Sequence, residues 1–413
     1  MKVLWFEVTQ PSGYNNSGII TGGWQDSLES IVKSETSIEL SVVFVTDRHL
    51  ETRVVDGVKY FPIFCQYGSL ERIFNPKWDL YVKKVLPQSL QIIKECEPDI
   101  IHIFGTEWPF GQIAKYVEVP VVIHIQGAIV PYNNALYPPG YSINDRIDTS
   151  KFNPLYRLRL LKEESDSKNW EAWERSTWNI VCNYMGRTDW DYALSQIMHP
   201  GCRYFHVEEA LRTPFISGDN HWIMPQDNKI RLITTGLSTF WKGPDMLLKT
   251  AHILSESGID FEWLVAGKIS DELRMVVEQH EKLSFENNHV KILGFVNTDE
   301  LCDILCHSSM MVHTAYIENS PNSICEAQCI GVPVISTNVG GISTLVRNGI
   351  DGILVPANDP WQMAYNIITL SKDIDRMKKM SEETMLHSKS RHNPKNIIKQ
   401  LLNCYCELSS NKV

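Results

Sequence analysis

This chain of 413 residues lacks several signatures, and each absence removes a class of function. No apolar run approaches the roughly 18 residues that a helix needs to cross a bilayer. The ten cysteines form no C-x-x-C pair, the tight pairing that a structural zinc site normally shows. Cys302/Cys306 and Cys325/Cys329 instead stand at helical spacing, and Cys404/Cys406 lie near the C-terminus. They read as reduced thiols, which places the chain in the cytosol and predicts no metal. There is no G-x-G-x-x-G and no G-x-x-x-x-G-K-S/T, which weighs against a dinucleotide oxidoreductase and a P-loop NTPase. Basic residues are outnumbered 39 to 49 by acidic ones, a net charge of −10. A general nucleic-acid binder needs a basic face, so that partner is excluded. The opening Met1-Lys2-Val3-Leu4-Trp5-Phe6-Glu7 is too short and too soon charged for a secretory signal, and reads as a first buried strand.

What is present is ample apolar material, 43% hydrophobic with 12 Trp, enough for two cores. Short apolar runs alternate with helical stretches. In the first half, strands are predicted at 3–7, 40–46, 99–103, 119–125 and 179–183, with a hairpin over 53–63 turning at Asp56-Gly57. In the second half they fall at 230–235, 261–266, 290–294, 310–313, 332–336 and 352–355. Asn297-Thr298-Asp299-Glu300 has the pattern of a capping box. Near-continuous apolar strands between helices predict parallel sheets covered on both faces, an α/β fold of two doubly wound Rossmann-like domains. The polar, turn-rich stretch 217–228 marks the boundary. The predicted division is 1–220, 221–390, and a C-terminal helix 391–413 packing back on the first domain.

Three segments carry chemistry. The first runs Glu318-Asn319-Ser320-Pro321-Asn322-Ser323-Ile324-Cys325-Glu326. In doubly wound folds ligands bind beyond the carboxyl ends of the strands, where Glu318 should project. Amides near Asn322 and Ser323 open a helix whose N-terminus favours a phosphate. Glu326, one turn in, can accept two hydrogen bonds from a vicinal diol such as that of ribose. The second segment is Gly236-Leu237-Ser238-Thr239-Phe240-Trp241-Lys242-Gly243, joining a strand to a helix. Gly236 permits a tight exit, and Lys242 places a compact cation for a diphosphate leaving group. The third is Gly22-Gly23, where backbone can approach a ligand closely.

These segments, with Val290–Val296, Gly331-Val332-Pro333-Val334-Ile335, Gly340-Gly341 and Gly349-Ile350-Asp351-Gly352, resemble the GT-B glycosyltransferases of the large retaining family 4. The second half matches almost throughout. The first half matches loosely, through its initial strand, Gly22-Gly23, 98–102 and 120–127. The resemblance implies two domains facing across a cleft and sugar transfer from a nucleotide sugar, with retention and no bound metal or other cofactor. It implies roles for Glu326 on the ribose, and for Glu318, Asn319, Ser320, Pro321 and Asn322 on the donor sugar. Lys242 and amides near Ser323 would take the diphosphate, Gly294-Phe295 the nucleobase, and Gly22-Gly23 the phosphates from the other domain. Gly236 and Gly243 shape the lysine loop.

Two departures stand out. Leu237 occupies the place where the family commonly has arginine, and Arg187 is a candidate for the missing charge. Gln126 stands where a first-domain histidine is often found, with His124 two residues earlier. Gln126 can hydrogen-bond a sugar hydroxyl but is no general base. The expected function is therefore metal-independent, retaining transfer from a nucleotide diphosphate sugar to a glycan or lipid-linked glycan, with Lys242, Glu318 and Gln126 at the reacting centre. Acceptor specificity is assigned to first-domain loops such as 132–148. The alternating bases and apolar residues of 156–162 could touch anionic lipid at the inner face of the cell membrane. A nucleotide-sugar epimerase of the same fold and a non-catalytic sugar-nucleotide binder stay open as alternatives.

Overall fold

The computed structural model describes residues 1–15, 23–149, 153–227 and 229–410. The chain divides into two compact units. The first comprises Met1–Asn133, Leu161–Ala210 and His392–Val413, and the second Asn134–Leu160 and Leu211–Arg391. The passage from the first unit to the second thus falls at Ala210/Leu211, earlier than the polar 217–228 stretch. Leu211 and Phe215 are buried with the second core, which fixes the boundary before that stretch.

Among the described residues the first unit holds one sheet of eight strands, ordered β3-β4-β2-β1-β5-β6-β7-β8. These are β1 (Lys2–Glu7), β2 (Glu39–Thr46), β3 (Arg53–Val55), β4 (Val58–Phe64), β5 (Ile100–Phe104), β6 (Val121–His124), β7 (Asn183–Gly186) and β8 (Arg203–His206). All pairs are parallel except β3·β4. That hairpin turns where predicted, and Asp56 and Gly57 both have positive φ (47° and 83°), the geometry that matches the strands' twist. The predicted strand at 179–183 lies instead at β7. The helix Pro154–Trp178 persists to the end of its apolar face, and a turn at 179–180 precedes the extended chain. The helix Pro394–Ser409 packs into this unit: Ile397, Leu401 and Tyr405 share a core with Val3 and Trp5, and the Trp5 indole donates to the Tyr405 hydroxyl at 2.9 Å.

Among the described residues the second unit's sheet has six strands, all parallel, ordered β11-β10-β9-β12-β13-β14. They are β9 (Ile230–Thr235), β10 (Phe261–Ala266), β11 (Val290–Gly294), β12 (Met310–His313), β13 (Val334–Thr337) and β14 (Ile353–Val355). The capping box forms as predicted: Asn297 Oδ1 accepts from the Glu300 amide at 3.0 Å, and Glu300 Oε2 from the Asn297 amide at 3.3 Å. The loops expected in the first domain belong from residue 134 onward to this unit. Tyr141 stacks on His280 with centroids 3.8 Å apart and donates to Glu281 at 2.7 Å, while Arg146 binds Glu272 at 2.8 Å. Sequence reading missed this because its partners lie over a hundred residues away.

In each sheet the chain works outward from one strand and then returns to that strand's other side. The reversal lies between β1 and β5 in the first unit and between β9 and β12 in the second. Such switch points open crevices at the strands' carboxyl ends.

Candidate active site

In the second unit, the loops leaving β9 and β12 bring the candidate residues together. Gly236 leaves β9 with φ 70°, and a single 3-10 turn, Phe240–Lys242, precedes the helix Pro244–Glu256. Gly243 lies so near the β12 loop that a Cβ there would stand 2.0 Å from the Thr314 carbonyl oxygen. Thr314 in turn donates to the Lys242 carbonyl at 3.0 Å. This close approach puts the Lys242 ammonium on the carboxylate of Glu318, forming a direct ion pair. His313 Nε2 lies 3.8 Å from the same carboxylate oxygen. Burial alone would raise the Glu318 pKa, but Lys242 and His313 override it and hold the group down to about 2. The Glu318 backbone is fixed from the other side by the Gly340-Gly341 turn. The Gly341 amide donates to the Glu318 carbonyl at 3.0 Å, and a Cβ on Gly340 would stand 1.8 Å from that oxygen.

The helix Asn322–Ile330 starts behind Pro321, its N-cap residue, whose side chain makes no capping hydrogen bond. Asn322 and Ser323 are half-buried there, whereas Asn319 and Ser320 are buried. Glu326 is also buried, and its carboxylate is gripped by an arginine that sequence reading did not single out. Arg212 Nε and Nη2 donate to Glu326 Oε1 and Oε2, each at 2.7 Å. No local motif links two residues 114 positions apart. Nearby is an open pocket of about 370 Å³ lined by Thr235, Ala266, Gly267, Phe295, Val296 and Leu301, within the usual range for a small-molecule site. Gly267 bonds the Gly294 carbonyl at 2.7 Å, and Phe295 is 78% exposed. Gly294-Phe295 therefore lies where a flat ring could be covered.

The first-unit candidates are more scattered. Gly23 has φ 66° at the head of the helix Trp24–Glu35, and Gly22 lies outside the described residues. Gln126 is half-buried just past β6. His124 is buried in an aromatic cluster with Trp24, and burial, with His102 and Arg187 adding, depresses its pKa far below the usual value. Arg187 is 2% exposed, donates to the carbonyls of Ile125 and Gln126 at 3.2 and 3.3 Å, and pairs with Glu209 at 3.6 Å. Its guanidinium would have to give up these contacts to meet a phosphate. Glu107, which no motif marks, follows β5. Cβ atoms on Gly105 and Gly127 would stand 2.3 and 2.9 Å from its carboxylate oxygens. Its Oε2 is buried without a hydrogen bond, and burial, reinforced by Glu174, pushes its pKa up to about 7. In the 156–162 stretch Leu158 and Leu161 are exposed, but Arg159 and Lys162 are salt-bridged to Glu272 and Asp166, both at 3.2 Å.

With this geometry in place, the chain can be set beside known proteins. Residues 229–373 match the family described as Glycosyl transferases group 1. They are a group 1 glycosyltransferase domain. The domain spans all of the second unit's strands and every second-unit candidate residue. A D-inositol 3-phosphate glycosyltransferase of Streptomyces bingchenggensis is 31% identical over 172 residues, covering 40% of this chain and 38% of that protein. The chain thus spans well under half the length of the first curated relatives it matches, 38% and 41%. A 2-deoxystreptamine N-acetyl-D-glucosaminyltransferase of Niallia circulans is 26% identical and covers 76% of this chain and 75% of that protein. Among solved structures, sucrose-phosphate synthase of Thermosynechococcus elongatus aligns with TM-score 0.72 at 13% identity, covering 99% of both chains. Anabaena HepE, in complex with UDP and glucose, aligns with TM-score 0.65 at 17% identity, over 98% of this chain and all of that one. At such identities the likeness establishes the fold, which is the GT-B fold of two Rossmann-like domains. Among the described residues no helix is long and apolar enough to cross a membrane.

Proposed function

We propose that the protein transfers a sugar from a nucleoside diphosphate sugar to a hydroxyl of a glycan or lipid-linked glycan, with retention of anomeric configuration and without a bound metal. The observation that carries this reading is the Lys242–Glu318 pair at the β9/β12 switch point, held against the Gly340-Gly341 turn. Beside it the helix Asn322–Ile330 presents its N-terminal amides behind Pro321, which makes no side-chain cap. Those amides and Lys242 would bind the diphosphate, Glu326 the ribose, and the 370 Å³ pocket beside Phe295 the base. Glu318 would accept a hydroxyl of the donor sugar. In the reaction, the bond from the anomeric carbon to the phosphate oxygen breaks as the acceptor oxygen bonds to the same face. The acceptor proton passes to the departing phosphate oxygen. Preorganised charge would then supply most of the rate, in place of a strong base.

The named activities of relatives favour glycan or cyclitol acceptors, and the HepE complexes favour a uridine donor as the first to try. A panel of UDP-, GDP-, ADP- and dTDP-sugars should raise the melting temperature with one clear winner. That donor should then be hydrolysed slowly, to the same extent with and without EDTA. No stabilisation by any of them would contradict the donor reading, and EDTA sensitivity would contradict the metal-free step. Product formed from the donor alone with its nucleotide still attached would favour an epimerase.

A further inference from the structure

The turn that carries Lys242 is short and needs outside support. Phe240–Lys242 is a single 3-10 turn, a form whose hydrogen bonds are poorly aligned and hold little by themselves. A lysine presents its charge on a flexible four-carbon stem, so the ammonium is only as well placed as the backbone beneath it. One support comes from the loop after β12: the Tyr316 amide donates to the Trp241 carbonyl at 2.7 Å, and Thr314 to that of Lys242 at 3.0 Å. A second comes from an arm, residues 134–149. Tyr137 and Tyr141 of this arm pack their rings on Phe240, with centroids 5.3 and 5.9 Å apart.

The arm is itself pinned down. Its helix Ile143–Thr149 docks on the helix Asp271–Glu281, where His280 bonds Asp145 at 2.7 Å, Arg146 bonds Glu272 at 2.8 Å and Thr149 bonds Gln279 at 2.9 Å. Tyr141 joins that docking to the lysine turn. It is buried in the second unit's core, stacks on His280 and donates to Glu281. Glu281 lies 3.7 Å from Lys249, which pairs at 2.8 Å with Asp245 in the first turn of the helix after Lys242. We propose that Tyr137 and Tyr141 are positioning residues for Lys242, acting through Phe240, so that docking of the arm sets how well the lysine meets a diphosphate. This rests on the donor reading above. Read from sequence as part of an acceptor loop, the arm makes its aromatic contacts on the lysine turn. Without the two rings, Phe240 loses its cover and the turn can shift. A displacement of about 1 Å is enough to weaken a preorganised contact severely.

The test is titration calorimetry with UDP and UMP on wild type, Tyr137→Ala, Tyr141→Phe and the double variant Tyr137→Ala/Tyr141→Ala, with the guanosine and adenosine pairs if the uridine pair does not bind. Lys242→Met serves as the reference. Wild type should prefer the diphosphate on the order of 10- to 100-fold, the range for one hydrogen bond between charged groups, and Lys242→Met should lose most of that preference. The double variant should lower it about tenfold, and Tyr137→Ala about threefold. Tyr141→Phe keeps the ring on Phe240 and should retain the preference within about twofold. UMP binding should stay within about twofold throughout. A merely structural defect would weaken both nucleotides alike and leave their ratio unchanged, and that result overturns the proposal. Should the double variant fail to fold, Tyr137→Ala decides, since Tyr137 is only half-buried. An undiminished preference in either folded alanine variant overturns the role of the arm alone. Failure of wild type to bind any of these nucleotides, or a preference that Lys242→Met leaves intact, overturns the donor reading itself.

Discussion

The two switch points have the same topology and opposite electrostatics. At β9/β12 the acids of the glycosyltransferase domain are matched by cations. Glu318 meets Lys242 and Glu326 meets Arg212, and behind them Asp351 meets Arg347 at 2.6 Å and His387 at 2.8 Å. At β1/β5, among the described residues, the acids stand largely unmatched. Glu7, which ends β1, is 1% exposed with its pKa raised by burial and by Glu29 and Asp26, and Glu107 after β5 is raised to about 7. Glu29 bonds the Tyr60 hydroxyl at 2.6 Å, yet burial still raises it. The crevice proposed to receive an anionic diphosphate keeps its cations in place, and the Glu318 carboxyl is held well below its usual pKa. A crevice lined by acids whose pKa burial raises suits uncharged, hydroxyl-rich partners. The fold supplies the same crevice twice, and the side chains around each one set what it can hold.

The largest expected effect tests the charged site. Lys242→Ala should cut transfer about 10²–10³-fold, the loss typical for one preorganised donor at a developing charge, measured as turnover at saturating donor. Undiminished turnover would remove Lys242 from the reaction. Next, Gly340→Ala forces a Cβ against the Glu318 carbonyl in a left-handed backbone, φ 51°. It should cost about 2–4 kcal/mol in a denaturant titration and lower nucleotide affinity along with stability. Gly140→Ala, in the same unit but with open space around its Cβ, should leave affinity intact.

The smallest effect separates the two sites by pH. Glu318 has its pKa lowered from 4.5 to about 2. Its stabilisation is present above 4.5 and lost as pH falls from there towards 2. Glu107 is raised from 4.5 to about 7. Its folded form holds the proton more tightly, so its contribution declines as pH rises from 4.5 to 7 and is flat beyond. Glu107→Gln should therefore become more stable relative to wild type across that window, by on the order of 2 kcal/mol. Melting curves at steps between pH 4.5 and 8 would show it. A parallel offset at every pH would mean that the Glu107 carboxyl does not titrate there.

The second unit was the more legible in sequence, for a physical reason. Its strands are short apolar runs, three of them closed by Gly236, Gly267 and Gly294, and the predicted bounds at 230–235, 261–266, 290–294 and 310–313 coincide with those observed. Its site residues cluster within a few loops, so the Lys242 and Glu318 segments could be placed from local pattern and resemblance alone. Long-range pairings escaped that reading. Arg212 reaches Glu326 from a stretch in which the sequence marks no motif, and 134–149 docks on the helix Asp271–Glu281 through side chains without a motif. In the first unit, Glu107 is exceptional only because Gly105 and Gly127 let its carboxylate sink between two strand ends. Arg187 reads as a spare charge until its partners at Ile125, Gln126 and Glu209 are seen.

The most direct measurement is a crystal structure of the protein soaked with UDP, or with whichever nucleotide stabilises it most. The pyrophosphate should lie within hydrogen-bond distance of the Ser323 amide and the Lys242 ammonium, with the ribose on Glu326 and the base against Phe295. A nucleotide bound elsewhere, with the Lys242–Glu318 and Arg212–Glu326 pairs untouched, would contradict the assignment of the β9/β12 crevice as the donor site.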